Sequence, residues 1–536
     1  MRPRDLSRFD GNVYDVLVVG GGIQGLACAY EAASRGLRVA LVEAADFGSG
    51  ASFNHQKTAH GGLRSLGAGH LQRARESIRE RRALARIAPW FLRPLPFLVG
   101  TYRSVTKNRL ALRAAFKVDG WLGRRRNEGL EPELHLPIAR LVSKAATLRL
   151  FPGIRPEGLT GGAQWYDYQM VEADRLTLSF AAAADRAGAD LANYVEAIEV
   201  IRDAGRIAGM LARDRLTDRT LEIKSRLTLN AAGARAGEVM ELFGTTRPFP
   251  LVKAMNLVTS RPARDMALAA PARDGRMLTL VPWRGRAIVG TSQSAQFVKP
   301  GDLTVTSAEV DAFIADANIA FPALKLTAAD VTLVHRGNVA ASGDSGSAPD
   351  LKPSAEIVDH ANGAVTVIGV KFTTARAVAE RAIELVARRL QRRLRRSRTA
   401  ITPLPGAAIA DHEALAIETA RDLHMDVPLP LIRHLIALYA EGAADIIRLV
   451  HERRDLSEPL CAGTNTIKAE VIHTIRHEMA IRLTDILIRR TSLGSAGPPP
   501  AEAVETAARV AQAELGWDAS RAADEMATVK SFYDLQ

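Results

Sequence analysis

Cysteine is scarce. Cys28 and Cys461 are the only two in 536 residues and stand at no ligand spacing, which excludes a disulfide framework and a cysteine-based zinc site and points to a reducing compartment. Aromatic residues make up 5%, and no stacking set or recognised nucleic-acid motif accompanies the basic charge, so nucleic-acid binding is not expected. No uncharged apolar run reaches the roughly 18 residues of a spanning helix, and the opening MRPRDLSRFDGNVYD lacks a signal-peptide core. No internal repeat occurs. The expectation is a cytoplasmic protein. What is plentiful is positive charge: 71 Lys and Arg against 59 Asp and Glu give +12, a field that favours a small anionic partner or an anionic surface. The length suggests two to four domains at roughly 150 residues each.

From residue 14, YDVLVVGGGIQGLACAYEAASRGLRVALVEAADFG reads as strand, glycine turn, helix and second strand. Residues 16–19 are continuously apolar, as a parallel strand covered on both faces requires. Gly20, Gly22 and Gly25 have the G-x-G-x-x-G spacing, and Glu43 ends the next strand. The first glycine allows the turn, the second admits a pyrophosphate to backbone N–H groups at a helix N-terminus, and the third lets helix and strand pack closely. Glu43 would accept hydrogen bonds from an adenosine ribose. NAD and FAD both use this unit, so the choice has to come from elsewhere. LTLNAAGARAG, with Ala232 and Gly233 closing an apolar strand, resembles the returning strand of two-dinucleotide flavoproteins.

The choice comes from KTAHGGLRSLGAG, residues 57–69. With the preceding residues from Glu43 and the continuation RESIRERRALARIAPWFLRPLPF, it resembles the FAD-dependent glycerol-3-phosphate dehydrogenase family. WYDYQMVEADRLTLSFAAAADRAGADL, RMLTLVPWRGRAIVGTS, GVKFTTAR (369–376) and the C-terminal AEVIHTIRHEMAIRLTDILIRRTSLG extend the resemblance over nearly the whole chain. H-G-G-L-R and K-x-T-T-x-R are its specific elements.

The resemblance implies an α/β fold: a Rossmann-like FAD-binding domain, an interleaved mixed-sheet substrate domain and an α-helical C-terminal cap. The segments it suggests are 12–100, 165–245 and 341–400 for FAD binding, 101–164 for a substrate or cap insertion, 246–340 for the substrate domain and 401–536 for the cap. Implied cofactor contacts are Gly20, Gly22, Gly25, Glu43, Ser52, Lys57, His60, Gly61, Gly62, Val195, Ala232, Gly233, Lys371, Thr373 and Thr374. Gly61 and Gly62 would let backbone lie against the flavin ring. Implied substrate-side residues are Arg64, Arg336, Asn256 and Lys371. The reaction implied is oxidation of sn-glycerol 3-phosphate to dihydroxyacetone phosphate by hydride transfer to flavin N5, with electrons passed to quinone. The base stays open between His60 and His335.

Four positions depart from the family pattern: Ser65 replaces a tyrosine, Asn256 a histidine, Val339 an arginine and Val370 a glycine. An arginine fork on phosphate contributes about 1.5–3 kcal/mol per charge-assisted bond, so these changes leave room for a dehydrogenase or oxidase of another polyol phosphate, a hydroxy acid or an amine, or for a flavin-binding protein without turnover.

Two further stretches carry alternatives. RAIELVARRLQRRLRRSR (381–398) places Ile383, Val386, Leu390 and Leu394 on one side of a basic helix, which suits either an anionic membrane surface or a solvated face. Peripheral contact with the inner face of the cytoplasmic membrane would agree with the resemblance, which also leaves room for a homodimer. His473 and His477 lie one helical turn apart, but no third ligand is evident in sequence, and no metal is assigned.

Overall fold

The apolar run near the N-terminus forms the middle of a sheet. In the computed structural model, which describes residues 1–63, 70–102, 109–245, 247–343, 349–407, 411–422 and 427–535, Val13–Val19 pairs in parallel with Val39–Val42 and with Thr220–Asn230. Asp190–Ala192 and Ala364–Ile368 extend the two sides in parallel, and Glu356–Asp359 adds an antiparallel edge. Val16, Leu17 and Val18 are fully buried, which explains why the strand lacks polar alternation. Helix Ile23–Ser34 packs against helices Ala173–Arg186 and Ala375–Arg389. Its Ala27, Ala29 and Ala32 are almost completely covered, and their small side chains permit the close approach.

The basic helix differs from expectation. It spans Ala375–Arg389, and residues 390–398 are not helical. Ile383 and Val386 are fully buried in the core shared with the first helix, and Leu390 and Leu394 pack on its margin. Burying side chains of this size contributes about 1.5–3 kcal/mol each, a gain larger than an isolated surface helix obtains. Arg381 pairs with Glu76, and Arg389 donates to Asp359 at 2.6 Å. The apolar stripe therefore belongs to the protein core and not to a membrane.

A second, mixed sheet runs in the order Asp350–Leu351, Val331–Ser342, Leu251–Thr259, Arg286–Gln293, Met277–Trp283, Ala267–Pro271, Leu92–Tyr102, Leu159–Met170 and Thr58–Ala59. Leu92–Tyr102, which the sequence places in the first dinucleotide segment, is hydrogen-bonded into this sheet along its length against Leu159–Met170. Helix Ser307–Ala320 covers one face through Val310, Phe313, Ile314 and Ala317. The edge pair Thr58–Ala59 opposite Gln169 and Tyr168 matters most for function, because it ties the strip beginning at Lys57 to the second sheet.

The C-terminal part is helical, with Leu429–Tyr439, Ala443–Glu452, Lys468–Glu478, Ala501–Leu515 and Ala519–Ser531 around two small cores. It is anchored to the first sheet by buried charge. Arg489 and Arg490 donate to Asp46 at 2.7–2.8 Å, and Arg489 also reaches Asp485 at 2.6 Å. Burial would raise the Asp46 pKa, but the two guanidiniums hold it at about 2.

Candidate cofactor site

Four loops converge where the parallel strands of the first sheet end, the place at which open α/β sheets bind ligands. They follow Val13–Val19, Val39–Val42, Thr220–Asn230 and Ala364–Ile368. Gly20 has φ +109°, and a Cβ there would lie 2.6 Å from the Ala231 carbonyl oxygen, so this turn presses on the returning strand. A Cβ at Gly25 would stand 1.8 Å from the Gly20 oxygen. Gly22 is looser, since its Cβ would meet only Ser52 Oγ at 3.3 Å. Ser52 Oγ accepts from the Ile23 N–H at 2.9 Å, at the N-terminus of the first helix. Gly233, at φ +58°, has no atom within 4 Å of its Cβ direction and faces open space. Ala232 is fixed by its N–H to Asn230 Oδ1 at 3.1 Å.

Glu43 behaves partly otherwise than expected. Its Oε2 accepts from Gly21 N–H at 2.5 Å and its Oε1 from Ala45 N–H at 2.8 Å, so the carboxylate first holds the glycine loop. A carboxylate has about four acceptor sites, which leaves capacity for a ribose. Burial raises its pKa in spite of these bonds. Val195 is fully buried and gives its N–H to the Glu43 carbonyl at 2.7 Å; its side chain faces the core.

The second half of the site is the turn before helix Ala375–Arg389. Thr374 is its N-cap residue, and Thr373 and Thr374 are buried while Lys371 is exposed. Gln24 Nε2 reaches the Lys371 carbonyl at 3.4 Å, and a Cβ on Gly369 would collide with the Gln24 side chain at 2.3 Å. The N-termini of two helices thus meet, and their positive ends add to the Lys371 charge. Arg376, the last residue of K-x-T-T-x-R, is a fold residue. It holds Glu80 bidentately at 2.7 and 2.8 Å and joins its helix to Leu71–Ile87.

The strip 52–63 runs between the two sheets. Arg64 and Ser65 lie outside the described residues. His60 N–H donates to Thr373 Oγ1 at 3.2 Å, which locks the strip to the turn at Lys371. The His60 side chain is 51% exposed, with Nε2 2.7 Å from Thr58 Oγ1 and Nδ1 3.6 Å from Asp167. Asp167 also accepts from Gly61 N–H at 2.6 Å and pairs with Arg81. Burial would raise its pKa, but Arg81 and these donors bring it below the usual range.

Several of the implied site residues also carry the fold. Lys57 is completely buried, with Nζ on the Phe53 carbonyl at 2.6 Å and over the Phe53 and Trp283 rings, so its ammonium is turned into the protein interior. Burial depresses its pKa, and Asp174 offsets this in part. Gly61 and Gly62 are required by the neighbouring helix: a Cβ on Gly61 would be 2.3 Å from the Arg81 guanidinium, and one on Gly62 2.9 Å from Ser77 Cβ. His335 and Arg336 lie on opposite faces of strand Val331–Ser342. Strand alternation pairs Arg336 with Met255, and its guanidinium is 3.5 Å from the Asp534 carbonyl. Asn256 and His335 face the other way. Asn256 Oδ1 accepts from Thr291 at 2.8 Å, and His335 is wholly buried against Phe53. That burial drives its pKa well down.

These residues fit a flavin dinucleotide. Gln24 Oε1 is buried without a hydrogen-bond partner beside the two helix N-termini, as is His55 Nε2 next to Phe372. Gln24 Oε1 is an acceptor that calls for a bound donor, whereas His55 Nδ1 accepts from the Lys57 N–H at 3.0 Å, which leaves Nε2 as a donor that calls for a bound acceptor. The chain also matches the family described as FAD dependent oxidoreductase over residues 15–385, and the C-terminal domain of alpha-glycerophosphate oxidase over 397–522. A glycerol-3-phosphate dehydrogenase of Synechocystis sp. is 30% identical over 91% of this chain and 90% of that protein. The chain belongs to the FAD-dependent glycerol-3-phosphate dehydrogenase family. A second relative with that description, from Mycobacterium leprae, is 30% identical over 97% of this chain and 88% of its own length. The glycerol-3-phosphate dehydrogenase of Bacillus halodurans, solved in complex with FAD, has the same fold, with a TM-score of 0.77 at 24% identity over 99% of this chain and 96% of its own. This is a flavoenzyme, and its cofactor is FAD.

Sequence reasoning missed Asp167, Arg81 and Gln24. The signal for Asp167 was there: an aspartate inside WYDYQM, in an otherwise strand-like run, needs a partner when buried.

Proposed function

We propose that this chain oxidises sn-glycerol 3-phosphate to dihydroxyacetone phosphate and passes the electrons to a quinone. One observation carries the reading: the half-exposed His60 is tied through its backbone to Thr373, two residues from Lys371, where the two helix N-termini converge. FAD, when bound, supplies the acceptor for the carbinol hydride, which carries both electrons. Lys371 and the helix ends set a positive potential at the reacting edge and favour an anion there. His60, oriented by Thr58 and backed by Asp167, takes the hydroxyl proton. Asn256, Thr291 and Gln56 form a polar wall on the second sheet, with Thr279 Oγ1 donating to Gln56 at 2.7 Å. Glycerol 3-phosphate, added without oxygen, is expected to bleach the bound flavin, and His60→Gln to slow bleaching at least a hundredfold with binding retained. Bleaching by a hydroxy acid or an amine, with none by glycerol 3-phosphate, would overturn the substrate assignment. Val339, an apolar side chain on the same face as His335, is the feature that favours such a substrate.

Delivery to a quinone needs contact with a bilayer. Among the described residues no helix is long and apolar enough to cross one. The contact we assign is the end of helix Arg109–Leu122, where Val118 and Trp121 are exposed. Beside it a groove of about 510 Å³ is lined by Arg124, Arg125 and the exposed Ile138. Interfacial tryptophan with flanking arginine suits an anionic membrane surface.

A further inference from the structure

The cap holds a cluster in which flavin chemistry has no part. His473 and His477 are four residues apart on helix Lys468–Glu478, so their rings share one face, with centroids 5.0 Å apart. The fold brings a third group that the sequence could not supply: Asp445, in the first turn of helix Ala443–Glu452. One nitrogen of each histidine and one Asp445 oxygen all lie within 4.8 Å of one another. His473 is 3% exposed, and its Nδ1 has no hydrogen-bond partner. An imidazole nitrogen left this way costs about 1–3 kcal/mol unless something binds it. Gly442 makes the approach feasible, since its Cβ direction ends 3.1 Å from His473 Nε2 and any side chain would crowd the ring. The surrounding charges are Arg448, which donates to Asp445 Oδ1 at 2.8 Å, and Glu478, 3.9 Å from His473 Nε2 and itself held by Arg175 at 2.7 Å.

We propose that Asp445, His473 and His477 bind a divalent transition-metal ion, zinc first, between the two cap helices. Two imidazoles and one carboxylate are donors for zinc and its neighbours; calcium and magnesium prefer oxygen alone. Metal–ligand distances of about 2.0–2.2 Å require the three groups to close by roughly 1 Å, a movement within the rotamer freedom of the half-buried Asp445 and His477. Arg448 yields its bond to Asp445 as the ion enters. Three protein ligands leave a coordination position for water. The ion crosslinks two helices and so stabilises the cap against unfolding.

The test uses FAD-loaded full-length protein stripped of metal with a chelator and titrated calorimetrically with zinc sulfate. The expected result is one ion per chain, with a melting temperature that rises as zinc is added. His477→Gln and Asp445→Asn, chosen because both side chains are partly exposed and their loss leaves the core intact, should each weaken binding at least tenfold while circular dichroism and flavin content stay unchanged. Cobalt(II) supplies a second readout: intense visible absorption from a four-coordinate centre in the parent protein, and its loss in His477→Gln. Equal zinc affinity in the parent and in both variants, or no uptake up to about 0.1 mM zinc, would overturn the assignment.

Discussion

Replacing Gly25 by alanine should do more damage than the same change at Gly22, although the two belong to one motif. The added Cβ at residue 25 would sit 1.8 Å from the Gly20 carbonyl oxygen, where ordinary contact begins at 3.4 Å. Something must therefore move by about 1.6 Å, and the obstacle is backbone, so no rotamer can absorb the shift. Overpacking of this kind costs about 1–3 kcal/mol where side chains yield and more where they cannot. At Gly22 the Cβ meets only a hydroxyl at 3.3 Å, and φ is −73°, which alanine adopts freely. The fold should tolerate that change, while the methyl group would stand where the proposed pyrophosphate meets backbone N–H groups. The assay melts both variants as apoproteins, which removes cofactor linkage, and measures flavin retained per chain after purification. We expect Gly25→Ala to melt several degrees lower and retain little FAD, and Gly22→Ala to melt with the parent and release FAD more readily. Equal melting of the two apoproteins would refute the packing argument for Gly25.

If the exposed Lys371 acts on developing charge as proposed, Lys371→Met should lower the rate of flavin reduction about a hundredfold or more; stopped-flow bleaching checks it. Asp46→Asn leaves two buried guanidiniums underpaired and should cost about 3–5 kcal/mol in urea unfolding at neutral pH. The Asp46 pKa is depressed from 3.8 to about 2, so its contribution is complete above pH 4 and vanishes as pH falls toward 2; the gap between parent and variant should narrow over that window. Trp121→Glu should reduce sedimentation with anionic vesicles and leave turnover with a soluble acceptor unchanged.

Sequence alone determined the nucleotide-binding unit and the family, because short-range rules govern them. The glycine spacing, the unalternated strand at 16–19 and the motif ending in Arg376 state their constraints within a few residues of each other. Tertiary structure decided which side chains face the site. Lys57 and Arg336 are polar and well placed along the chain, yet one is swallowed by the core and the other is turned to the opposite face of a strand by the period of two. The arginine-rich stretch after residue 380 reads equally as a membrane-surface helix or a solvated basic face until the first helix covers its apolar stripe. Asp445 joins His473 and His477 only because two cap helices cross beside a glycine. Burial and the meeting of distant segments depend on how elements pack, and packing is a property of the whole chain that no local spacing encodes.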